Sequence, residues 1–200
     1  MARTFTDRLA ENPFWFHWLR KLPEFGYRAT KRRIAAIRDR LGTPSVLDVG
    51  CGTGEFAHLF HPESYVGVDV SERYIRFAGR RNPRHRFECS DVLTWESGGR
   101  TFDLVLVNGV LHHLDDETAR GVLCKAASCG APGATTLVIE DVELPEAGFA
   151  TRLVHGLDEG EHIRSREAWE RLVGSVIPIA RASHYTSGVC PYLWMECPKR

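Results

Sequence analysis

The segment Val46-Leu47-Asp48-Val49-Gly50-Cys51-Gly52-Thr53-Gly54-Glu55-Phe56 constrains the fold of this chain more than any other stretch. A short apolar run feeds glycines at 50, 52 and 54, so a buried strand ends in a sharp turn that a ligand can approach closely. The spacing departs from Gly-x-Gly-x-x-Gly, whose last glycine opens a helix with amides that hold a pyrophosphate. Glu55 stands at that place. A carboxylate repels a pyrophosphate but tolerates a cationic ligand, and Asp48 just before the turn fits the same logic.

Further apolar runs at Ser45 to Val49, Tyr65 to Asp69, Arg86 to Cys89, Phe102 to Asn108 and Thr135 to Glu140 read as short strands. Helical stretches alternate with most of them. Ser71 caps a helix over 72–81, and Asp115, Asp116 and Glu117 place negative charge at the start of a helix that Gly130 and Pro132 end. The opening residues, 3 to 41, suggest two or three helices, with helical spacing at Ile34, Ile37 and Leu41. Beyond 142 the sequence predicts a loop, a helix near 165–174 and two closing strands near 176–186 and 190–196. Strands alternating with helices give an α/β fold with a parallel sheet covered on both faces.

A length of 200 residues, 43% hydrophobic, suits one domain, and 26 basic against 26 acidic residues leave no net field for nucleic acid or an anionic membrane. The first residues lack the pattern of a secretory signal, and no run reaches the roughly 18 apolar residues of a spanning helix, so a cytoplasmic protein is expected. The six cysteines lack zinc-site spacing and are read as reduced thiols, with no metal.

The string from Val46 to Phe56 resembles the first motif of the class I methyltransferases that use S-adenosylmethionine (SAM). Later segments are similar to that family in the same order, over roughly residues 45 to 142. The resemblance implies a Rossmann-like, seven-stranded, mostly parallel sheet with helices on both faces and an antiparallel C-terminal strand pair. Residues 1–44 would then be a helical lid, 45–142 the SAM-binding core, and 143–200 the acceptor-pocket region and closing strands. It further implies that Asp48, Gly50, Cys51, Gly52 and Gly54 cradle the methionine part of SAM, whose ammonium and sulfonium tolerate acids nearby. Asp69, about 20 residues beyond the turn, stands where nucleoside-binding sheets place a carboxylate for ribose hydroxyls. Val70 offers adenine an apolar face. Phe87 to Val92 is similar to the segment that reads adenine, which gives Asp91 the adenine amino group and Val92 a backbone amide. Asn108 and Gly109 resemble the position beside the methionine amine.

Phe102 to Leu114 carries a fourth strand into His112 and His113, at the sheet edge where ligands of open α/β folds gather. His112 is the expected general base, because a neutral imidazole can take a proton as the methyl arrives. His113 matches the histidine common in the family and is expected either to hold the loop or to share the site. Glu140 and Asp141 end strand five, either orienting a histidine or binding a cationic acceptor, or as plain loop acids; Asp141 is the third catalytic candidate. His155, His162 and Arg164 fall in the connection where the family builds its acceptor pocket. Phe14, Trp15, Phe16, Trp18 and Tyr27 form an amphipathic segment that packs on the sheet and can also cover the site.

The resulting expectation is methyl transfer from SAM to oxygen, nitrogen or carbon of a small-molecule acceptor, by direct displacement, leaving S-adenosylhomocysteine (SAH). The enzyme is expected to be a monomer or homodimer with no membrane or nucleic-acid partner. An RNA methyltransferase is the first alternative, resting on arginines 73, 76, 80, 81, 84 and 86 and on six basic residues between Arg28 and Arg40. Against it, Asn108-Gly109-Val110-Leu111 stands where the base-amine enzymes carry Asn-Pro-Pro-Tyr. A non-catalytic SAM-binding partner protein is the second alternative.

Overall fold

The structure, a computed structural model, describes residues 25–143 and 162–199. Helix α1 (Arg28–Leu41) leads into β1 (Val46–Val49), and β2 (Tyr65–Asp69), α2 (Glu72–Arg81) and β3 (Arg86–Cys89) follow. The chain continues through β4 (Phe102–Asn108), α3 (Asp116–Cys129), β5 (Gly130–Asp141), α4 (Arg166–Gly174), β6 (Arg181–Ser187) and β7 (Cys190–Pro198). Seven strands form one sheet in the order β3-β2-β1-β4-β5-β7-β6. β1 to β5 pair in parallel, while β7 runs antiparallel to both β5 and β6.

β1 is buried at all four residues, as a central parallel strand covered on both faces must be. On one face Ile34 and Ile37 of α1 pack with Phe56, Phe60, Tyr65, Leu104 and Leu106. On the other, Ala119, Val122 and Leu123 of α3 and Trp169 and Leu172 of α4 cover Leu47, Val49, Val105 and Val107. Side-chain caps start the helices where the sequence places them. Ser71 accepts from the Tyr74 amide at 3.4 Å, Asp115 from Thr118 at 2.8 Å and Ser165 from Ala168 at 3.3 Å.

Two elements differ from the sequence reading. β5 begins at Gly130 rather than 135, because Gly130 is both the cap of α3 and the partner of Phe102 in the sheet. β6 begins at Arg181 rather than 176: Val176, Ile177 and Ile179 spend their apolar side chains on the α3/α4 side of the core. The amides of Val176 and Ile177 continue the turn of α4 by donating to Val173 O. Phe14, Trp15, Phe16, Trp18 and His155 lie outside the described residues. No described helix is long and apolar enough to cross a membrane.

Candidate functional site

β1 is flanked by β2 on one side and β4 on the other, with Val49 in register with both Val68 and Val107. The strand order reverses here, and in such sheets the crevice outside the carboxyl ends is where ligands bind. The amides of Gly50 and Cys51 both donate to Val68 O, at 2.8 and 3.1 Å, and so fold the turn back over β2. Gly50, Gly52 and Gly54 take φ of 65°, 51° and 67°. A Cβ at Gly50 would lie 2.3 Å from a methyl of Val110, and one at Gly54 2.9 Å from Asn82 Nδ2, whereas one at Gly52 would meet nothing within 4 Å. Two of the glycines therefore serve packing, and Gly52 is the bare tip. It faces a cavity of about 530 Å³, inside the range typical of small-molecule sites.

Asp69 at the end of β2 lines this cavity. Its Oδ2 accepts from the Gly52 amide at 2.9 Å and its Oδ1 from the Ser71 amide at 2.8 Å. Burial pushes its carboxyl above the ordinary range, moderated by those two amides. Val70 and Leu93 line the same wall and are 75% and 41% exposed, an apolar surface that water gains nothing by wetting. Cys51, Asp91, Val92 and Asn108 line the cavity too. Asp91 Oδ1 accepts from the Leu93 amide at 2.9 Å, which shapes the loop that presents it.

Asp48 does not reach the cavity. It is buried beneath the turn, where the Tyr65 hydroxyl donates to its Oδ2 at 2.6 Å. Burial pushes its carboxyl up to about 7, against the lowering effect of that hydrogen bond and with the Asp69 charge adding to the rise. Glu55 does line the cavity, but its charge is compensated by an ion pair to Lys31 and another to Arg81 Nη1 at 2.5 Å. Burial works to raise its carboxyl, and the two cations outweigh that and hold it at about 2. The segment after the turn makes only two short 3-10 helices, Ala57–Leu59 and Pro62–Ser64, and Lys31 of α1 and Arg81 of α2 close around Glu55.

At the carboxyl end of β4 the two histidines separate. His112 is buried, 1% exposed, and its Nδ1 lies 2.8 Å from Glu140 Oε2. His113 is exposed and lines the cavity, its ring 4.1 Å from that of His112. The expected base is thus tied into the support, and its neighbour faces the crevice. Glu140 also accepts from the amides of Val110 at 3.1 Å, Leu111 at 2.9 Å and His112 at 3.3 Å. Asp141 is buried behind this turn, 3.9 Å from His112 Nδ1, and its backbone carbonyl accepts from Trp169 Nε1 at 2.9 Å.

Tyr27, Thr30, Tyr74 and Tyr192 complete the walls. Of these the sequence singles out only Tyr27, as an aromatic; the others lie on elements whose sequence gives no local sign of the crevice. Thr30 and Tyr192 meet there because α1 packs over the far strands, with Thr30 Oγ1 2.9 Å from the Tyr185 hydroxyl and Tyr185 stacked on Tyr192.

Residues 46–133 match the family described as "Methyltransferase domain". An uncharacterized methyltransferase of Mycobacterium bovis is 38% identical over 103 residues, 50% of this chain and 51% of that relative. The chain thus spans about half the length of that curated relative. Among solved structures, the magnesium protoporphyrin IX methyltransferase of Synechocystis PCC 6803 with bound SAH superposes at a TM-score of 0.68 and 17% identity, covering 100% of this chain and 90% of that one. The N-methyltransferase NodS of Bradyrhizobium japonicum, in complex with SAH, gives a TM-score of 0.66 at 21% identity, covering 87% of each chain. These two likenesses concern the fold. The sequence match to a methyltransferase domain covers residues 46–133, from β1 into β5, the stretch that builds the glycine turn and much of the crevice.

Proposed function

We propose that this chain transfers the methyl group of SAM to oxygen, nitrogen or carbon of a small-molecule acceptor. One observation carries the reading: a bare turn at Gly52 opens on a cavity of about 530 Å³ with Asp69 at its side and the exposed apolar pair Val70 and Leu93 beyond. That wall suits a nucleoside. No lysine or arginine lines the cavity among the described residues, Glu55 is already neutralised, and Asp69 and Asp91 favour a ligand with positive charge.

When bound, SAM supplies a methyl group on a positive sulfur, which takes back the bonding pair as the acceptor's lone pair forms the new bond. The chain's own residues hold and orient. Gly50, Cys51, Gly52 and Gly54 shape the nest for the methionine part, and Asn108 closes it from β4. Asp69 accepts from ribose hydroxyls through charge-assisted hydrogen bonds, and Val70, Asp91 and Val92 receive adenine. Asp48 works from beneath, as a buried support of the turn. His113, rather than His112, takes the acceptor's proton where the acceptor carries one, because His113 is exposed at the crevice and His112 is buried against Glu140. Alignment of acceptor and methyl supplies the rest of the rate.

Metabolite extracts incubated with the protein and methyl-labelled SAM, then analysed by mass, test the proposal. A small molecule should gain the label, and His113→Gln should lower its turnover by about 100-fold with SAM affinity kept. Binding of SAM with no labelled product in any extract would instead favour a non-catalytic role, and unchanged turnover in His113→Gln would remove the base.

A further inference from the structure

Two opposite charges grip the turn that carries His113. Glu140, fully buried at the end of β5, takes the amides at the start of this 3-10 turn. Arg164, which precedes α4, takes its carbonyl end: Nη1 donates to Leu111 O at 3.2 Å and Nη2 to Leu114 O at 2.8 Å. Nε and Nη2 of the same guanidinium reach Asp116 Oδ1, the first residue of α3, at 3.0 and 2.8 Å. Its far side rests on the Trp169 ring, 4.6 Å from the centre.

The backbone around Arg164 reinforces the grip. The His162 amide donates to His112 O at 2.9 Å, Arg164 bridges Val142, and the Glu143 amide donates to Arg164 O at 3.1 Å. Carbonyls at the end of a helical turn need donors from elsewhere. One planar fork provides them here and also ties the turn to α3, a geometry that a lysine ammonium cannot reproduce. The carboxylate stands at the end of β5 and the guanidinium just before α4, so the turn that carries His113 is held at both of its ends.

We infer that Arg164 is a positioning residue that sets how His113 faces the crevice. The inference rests on the proposed reading of His113 as the group nearest the acceptor. The nucleoside side stands apart from it, since Gly52, Asp69 and Ser71 are joined by their own hydrogen bonds at the carboxyl ends of β1 and β2.

The test uses the full chain labelled at histidine Cε1, observed by NMR with SAH as the probe ligand; His113→Gln assigns the resonance. In Arg164→Met the His113 resonance and the midpoint of its pH titration should move, while SAH affinity stays within about twofold, as expected for separated sites. Arg164→Lys should give a smaller displacement, because it restores charge without the fork. A folded Arg164→Met that binds SAH normally and leaves the His113 resonance and titration as in the wild type would overturn the inference. Should Arg164→Met not fold, an unmoved His113 resonance in Arg164→Lys would overturn it equally. Failure of the wild type to bind SAH would instead sink the methyltransferase reading and leave the His113 measurement valid.

Discussion

Asp48 stands one residue before the glycine turn, and its carboxyl is spent on the Tyr65 hydroxyl instead of on the crevice. Its ordinary value of 3.8 is raised to about 7 in the folded chain, so between those values the folded state holds a proton that the unfolded state has released. The sign follows. This group's contribution to stability is fully present below about 4 and is lost as pH rises to about 7; above that, an ionised carboxylate sits in a buried site at a cost on the order of a few kcal/mol. Asp48→Asn keeps the shape without the charge and should melt higher than the wild type at pH 8, with the advantage shrinking toward pH 5. Thermal melts across that range check it, and an advantage that does not depend on pH would show that Asp48 is not the titrating group. The two histidines give the same lesson about neighbours. Adjacent in sequence and equal in chemistry, they differ because a 3-10 turn sends one ring to Glu140 and the other to the crevice. No local pattern in the sequence distinguishes them; that needs the position of β5.

Within the glycine turn, Gly50 and Gly54 are held by close packing, and Gly52 meets only open space at the crevice. Gly54→Ala forces a Cβ to within 3.0 Å of Ala78 Cβ and Phe87 Cζ at a positive φ, and should cost about 2–4 kcal/mol in stability from backbone strain and overpacking together. Gly52→Ala meets open space, so it should cost only the backbone part, about 1–2 kcal/mol, and should weaken SAH binding instead. Urea unfolding and calorimetry on the two variants separate these effects; equal losses of stability would contradict the division. The strands of the core were readable because parallel strands covered on both faces are continuous apolar runs, and the caps Ser71 and Asp115 marked the helices. The run from Val176 to Ile179 misled for the same reason: apolar residues turned to a helical layer look like a strand when the layer is not known. The rest of the site was hidden in long-range pairs. Glu55 reads as an acid left to a cationic ligand until Lys31 of α1 and Arg81 of α2 are seen to close on it.

Across the whole molecule, a sheet with its order reversed at β1 brings together residues that lie far apart in the chain. Gly52 and Asp69 meet directly at 2.9 Å, and Asp91, Asn108, His113 and Tyr192 arrive at the same cavity from four further segments. The half proposed for the nucleoside is built on neighbouring strands close in sequence, which is why its motifs are legible in order. The half proposed for the acceptor depends on α1, β5, β7 and the segment around Arg164, and only the assembled sheet brings these together. On the proposed reading, the acid at the tip of β2 holds a SAM-type nucleoside in this crevice. Calorimetric titration of the full chain with SAH tests it most directly. Wild type should bind at one site, Asp69→Ala should bind about tenfold or more weakly for the loss of its charge-assisted hydrogen bonds, and NAD should give no heat. An Asp69→Ala variant that binds SAH as tightly as the wild type, or heat from NAD with none from SAH, would contradict it.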